Sequence, residues 1–142
     1  MPFRLIFAIC GAFVLLLLFF LVRSEDVSIE VSCDDFITQG SNVAEEIEID
    51  GWSDFLTVSL CSNPTTGFKW ELTEVTDEEV LVHDDNEYIS PEAEGVEGAA
   101  GTEVWTFKVL KAGSSNITME YSRSWEGGEE AEWTFILSAD VK

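Results

Sequence analysis

From Val27 onward the apolar residues of this chain recur at every second position, in short runs separated by turn-formers. A period of two commits such runs to half-buried β-strands, because successive side chains of a strand point to opposite faces. Val27, Ile29, Val31 and Cys33 alternate with Ser28, Glu30 and Ser32; Val43, Ile47 and Ile49 share one face, interrupted by Glu45, ahead of a turn at Asp50 and Gly51. Leu56, Val58 and Leu60 alternate with Thr57 and Ser59, and Phe68, Trp70 and Leu72 with Lys69 and Glu71. A weaker strand is expected over residues 80–88. Trp105, Phe107 and Val109 follow, then a turn over 111–115, then Ile117, Met119 and Tyr121, and last Trp133, Phe135 and Leu137. No segment sustains a helical period. Seven or eight strands in about 115 residues, one of them a Trp-bearing strand directly after a loop, predict an all-β, immunoglobulin-like β-sandwich.

The N terminus obeys a different rule. Arg4 precedes an apolar run over residues 5–22 without one charge, and Arg23 closes it. As a helix the run would be about 27 Å long, slightly short of a hydrocarbon core of about 30 Å. Val22-Arg23-Ser24 suits a secretory signal cut after Ser24, whereas Arg23 beside the cut and the length of the run suit an uncleaved anchor. Either way residues 1–24 are expected to be a signal peptide or signal anchor, residues 25–142 one exported domain (secreted, periplasmic or at the cell surface), and any membrane contact to run through residues 5–22 alone. Asn116-Ile117-Thr118 is a glycosylation sequon, while Pro64 bars Asn63 from that role.

Charge and chemistry exclude several classes of function. Setting aside Arg4 and Arg23 leaves five basic residues against 28 acidic ones, a formal −23 compared with −21 for the whole chain. Such a domain is not a nucleic-acid binder; it repels anionic membranes and favours basic partners. His83 is the single histidine, and no nucleophile elbow, metal-spaced His/Cys set or phosphate-binding glycine pattern occurs. Residues 84–87 lack the glycine and distant glutamate of a calcium loop and read as a solvated turn. The chain is therefore read as a non-enzyme without cofactor or metal, and as a monomer.

What remains distinctive is a loop. Asn63-Pro64-Thr65-Thr66-Gly67-Phe68 sets turn-formers and two small hydroxyls between two strands, as a hairpin or a connection between sheets. Pro64 fixes one φ and restricts Asn63, and Gly67 supplies a backbone conformation that residues with a Cβ avoid. Further on come Gly98-Ala99-Ala100-Gly101 and then Arg123-Ser124-Trp125 ahead of Glu126-Gly127. These three strings, in this order and at these spacings, resemble the binding loops of the chagasin-type inhibitors of cysteine proteases, and the resemblance extends over about residues 27–142.

The resemblance implies a reversible, non-covalent inhibitor whose three loops lie side by side and enter the active-site cleft of papain-like proteases. Residues 63–68 would cover the catalytic Cys–His pair. Residues 98–101 match the family's GxGG except for Ala100, and would meet the protease backbone in strand fashion. Arg123-Ser124-Trp125 matches RPW with Ser124 in place of proline, and Trp125 is the expected anchor, since Trp dominates interface hot spots. Phe68 suits core and interface alike. The alternative is an immunoglobulin-like surface adhesion or structural domain; a further variant is an inhibitor guarding the cell's own proteases. Cys33 and Cys61, an even count in an exported domain, suggest a disulfide, although Cys61 is out of phase with Leu60 and pairing needs a bend at a strand end. Two free thiols are the other reading.

Overall fold

Alternation in sequence becomes alternation in burial. The computed structural model describes residues 26–91, 98–123 and 131–142. Its elements are β1 (Val27–Val31), α1 (Cys33–Thr38), β2 (Asn42–Ile49), β3 (Phe55–Ser62), a 3₁₀ turn (Pro64–Thr66), β4 (Lys69–Val75), β5 (Leu81–Ile89), β6 (Gly101–Val109), β7 (Gly113–Ser122) and β8 (Trp133–Val141). In β7 every second residue from Ser115 to Tyr121 is buried, and β8 does the same from Phe135 to Val141. Two four-stranded sheets result, ordered β1-β3-β6-β5 and β2-β8-β7-β4. Their inner faces share one core, in which Leu56, Val58 and Phe107 of the first sheet meet Ile117, Met119, Phe135 and Leu137 of the second. The edge strands β1 and β2 pair parallel with β3 and β8, and the remaining pairs are antiparallel.

Three details differ from the sequence reading. Cys33 does not continue the first strand; it opens α1. Ser32 caps that helix reciprocally, its hydroxyl accepting from the Asp35 amide while its own amide donates to the Asp35 carboxyl at 2.8 Å. The Ser32 hydroxyl and amide together hold the Asp35 carboxyl below the usual carboxylate range. The capping contribution is thus complete above the unfolded-state pKa and is lost as acid titrates through the lower folded value. Residues 84–87 lie within β5 instead of forming a turn, next to a bulge between His83 and Asp85, with Lys108 paired to Asp84. Finally, β7 begins at Gly113, inside the expected turn. The expected helix over 5–22 falls outside the described residues, among which no helix is long and apolar enough to cross a membrane.

Candidate functional site

The stretch 63–68 joins the last residue of β3 in one sheet to the first of β4 in the other, so it crosses between the layers. Its shape is set locally. Pro64 occupies the first position of the 3₁₀ turn, where a missing N–H costs no hydrogen bond. The Thr66 amide donates to the Asn63 carbonyl at 3.1 Å and the Gly67 amide to that of Pro64 at 3.0 Å. The Thr66 hydroxyl donates to the same Asn63 carbonyl at 2.7 Å, and the Thr65 hydroxyl to the Asn63 side-chain oxygen at 2.6 Å. Gly67 then leaves the turn at φ 83°, in the left-handed region. Gly67→Val is accordingly expected to destabilise the fold by at least about 1 kcal/mol, read from denaturant unfolding, since a β-branched residue is strained there.

The 63–68 turn is also where three segments meet, and Asn63 makes two of the joins. Its side-chain amide donates to the Gly98 carbonyl at 2.9 Å, and its backbone amide donates to the Tyr121 hydroxyl at 2.8 Å. From the third segment, Arg123 Nε donates to the Thr66 carbonyl at 3.1 Å, and the guanidinium lies 4.4 Å from the centre of the Phe68 ring. The Phe68 side chain therefore faces inward onto Tyr121, with ring centres 5.3 Å apart, and outward onto Arg123. Ala100 has no positive φ, so alanine fits the backbone at the position where the loop pattern has glycine. Gly101 is required for another reason: a Cβ there would run into the Ile89 carbonyl and the Tyr88 hydroxyl. Ser124 and Trp125 lie outside the described residues.

Beneath the loops lies a frame of which sequence reasoning anticipated only the Cys33–Cys61 bridge. Glu103, buried on the inner face of β6, receives the Ser62 hydroxyl at 2.6 Å and the Trp70 amide at 3.3 Å on one carboxyl oxygen. One side chain thus ties both stems of the 63–68 loop. The Trp70 indole N–H donates to the Cys61 carbonyl at 2.9 Å, a second cross-stem bond. Phe36 of α1 stacks on Trp133 at 4.9 Å, Trp133 on Tyr121 at 5.0 Å and Tyr121 on Phe68, giving a continuous row of rings under the loop end. Cys33 and Cys61 are joined as a disulfide with Cα atoms 5.2 Å apart, within the ordinary range. The phase conflict dissolves because Cys33 has left the strand for α1, while Leu60, Cys61 and Ser62 are all buried at the end of β3. The signals for this frame were a Ser-x-x-Asp box at Ser32 and a glutamate in phase with Trp105 and Phe107.

The tip carries no charge over residues 63–68 or 98–101, in a chain whose formal charge is −21. Arg123 is in direct contact with it. Among the described residues Lys69, Lys108, Lys111 and Lys142 each form ion pairs with carboxylates, and Arg123 instead holds the loop. Among the described residues no group of three or more His, Cys, Asp or Glu is arranged to hold a metal ion. The arrangement is one of presentation: a braced, neutral, protruding turn flanked by two further segments.

Comparison with known proteins matches residues 53–139 to the Chagasin family peptidase inhibitor I42. All three loop segments fall within that span. Amoebiasin-2 of Entamoeba histolytica is 33% identical over 91 residues, covering 64% of this chain and 73% of its own. Chagasin of Trypanosoma cruzi is 34% identical over 88 residues, covering 58% and 79%. Among solved structures, the cysteine protease inhibitor EhICP2 from Entamoeba histolytica superposes with a TM-score of 0.60 at 21% identity, over 83% of this chain and 98% of that one. PbICP-C, solved in complex with falcipain-2, superposes with a TM-score of 0.52 at 16% identity, over 82% and 99%.

Proposed function

Since this chain belongs to the chagasin family of I42 peptidase inhibitors, we propose that it is a reversible, non-covalent inhibitor of papain-like cysteine proteases, acting through the loop end of the sandwich. The observation that carries the reading is the convergence on the 63–68 turn: Asn63 is hydrogen-bonded to the Gly98 carbonyl on one side and the Thr66 carbonyl to Arg123 on the other. The 63–68 turn is therefore held in shape before any partner arrives, which lowers the entropy lost on docking and lets a small patch bind tightly. A 3₁₀ turn closed by a left-handed glycine is not an extended substrate strand. Placed over a catalytic Cys–His pair it blocks the nucleophile without offering it an aligned carbonyl, so it is not cleaved. Thr65 and Thr66 present their backbone at the tip, residues 98–101 meet the protease backbone, and Trp125 anchors the third loop.

The reading extends to the rest of the chain. The sandwich is of immunoglobulin-like type and monomeric, and residues 1–24 export it, whether removed or retained as an anchor. It acts as an inhibitor, not as an enzyme. The test is titration of papain with the purified chain. Thr65→Asp and Trp125→Ala are each expected to weaken inhibition with the melting temperature unchanged, Trp125→Ala by about thirtyfold, which corresponds to ~2 kcal/mol. A folded chain that leaves papain and its relatives fully active overturns the proposal.

A further inference from the structure

The three-loop reading leaves α1 unused. This six-residue helix buries a single residue, Phe36, and its neighbour Ile37 is 70% exposed. One turn of helix ordinarily gains its place by covering apolar surface, and here a β-branched aliphatic side chain is held outward in a segment otherwise lined by Asp34 and Asp35. The helix is also fixed more firmly than its length explains. The Cys33–Cys61 bridge ties it to a point two residues before Asn63, and Phe36 is stacked on Trp133 and packed at 5.3 Å on Trp70. Ile37 therefore has a set position relative to the 63–68 turn.

Ile37 and Cys33 are among the residues lining a groove of about 460 Å³. Thr66, Phe68 and Arg123, which are loop-end residues, line the same groove. A body seated on the loops is therefore next to a groove that α1 also lines. The region matched by the family begins at residue 53, after α1.

We infer that α1 is a fourth contact element, with Ile37 as its contact residue. Its partner is the same papain-like protease, which inserts an apolar side chain from the wall of its cleft between Ile37 and the Phe68–Arg123 pair. This inference rests on the inhibitor reading above and assigns a further part of the interface within it. The alternative occupant, a second copy of this chain, would show as a dimer in solution without protease.

The test uses the full-length chain against papain, with inhibition constants referred to the folded fraction and melting temperatures measured alongside. Ile37→Asp is expected to weaken inhibition at least tenfold and Ile37→Ala three- to fivefold, both melting within a few degrees of the wild type because the side chain is exposed. Leu110→Asp, an exposed apolar position following the far end of β6, serves as control and leaves inhibition unchanged. If the wild type inhibits and Ile37→Asp inhibits equally well, the fourth contact is overturned and the three-loop reading stands. If the wild type does not inhibit, both fall. A protease-independent dimer that Ile37→Asp dissolves assigns Ile37 to self-association and overturns the inference.

Discussion

Glu103→Ala is expected to lower the melting temperature by roughly 10–15 °C and to weaken inhibition beyond what the loss of folded protein explains. The carboxyl oxygen it removes accepts from a Ser62 hydroxyl with no solvent exposure and from the backbone amide of Trp70. Truncation leaves both donors buried without an acceptor, at about 1–3 kcal/mol each, so a total near 3 kcal/mol is expected. For a domain of this size each kcal/mol corresponds to roughly 3–5 °C. The functional loss has a separate origin. Ser62 and Trp70 are the two stems of the 63–68 turn, and untying them lets the tip sample conformations that must be frozen on docking. Glu103→Gln, which keeps an amide oxygen at the same place, is expected to retain most of both properties. Thermal melting combined with papain titration checks this, and an alanine variant that melts like the wild type would show that water replaces the carboxyl without cost.

Breaking the Cys33–Cys61 bridge is the second large effect. Closing a loop of 28 residues restricts the unfolded chain by a nominal ~3 kcal/mol, so Cys33→Ser with Cys61→Ser is expected to melt about 10 °C lower. Because the bridge joins α1 to the stem of the central loop, the same variant is expected to lose the Ile37 contact, and Ile37→Asp added to it should then have little further effect on inhibition. Non-additivity of this kind identifies residues acting through one element. Peptide mapping without reduction, and melting with and without a thiol reductant, measure the starting state. Exported protein carrying two alkylatable thiols would remove the basis for this prediction.

The strands were legible because each has one wet and one dry face, and residues such as Ile117, Met119 and Tyr121 declare it at every second position. The loops were legible because Pro64 and Gly67 have backbone requirements of their own. Pairing was not. Nothing local to 63–68 distinguishes a hairpin from a crossing between sheets, since that choice is made by contacts of β3 with β6 and of β4 with β7, far apart in sequence. The alternation before Cys33 runs on unbroken and so predicts a strand there, and a six-residue helix is too short to express a period. Only its cap, Ser32 with Asp35, differs in kind. Glu103 escaped notice because a carboxylate on an inner face is anomalous until its partners, Ser62 and Trp70, are known to be adjacent.

The uncharged tip has a consequence for how fast such an inhibitor engages a target. Long-range fields act on diffusing molecules, whereas the contacts that hold a complex together are short-ranged. Here the acidic groups sit on the body and the flanks, while residues 63–68 and 98–101 carry none. Encounter with a protease whose cleft is rimmed by basic residues is therefore accelerated at low ionic strength, and encounter with an acidic one is slowed. Added salt screens both toward a common association rate constant over a Debye length of about 8 Å at physiological strength. The dissociation rate constant, governed by short-range contacts, stays nearly level across the same range. Among proteases that the loops hold equally well, the acidic body selects by speed of capture, and the salinity of the compartment sets how strongly it does so.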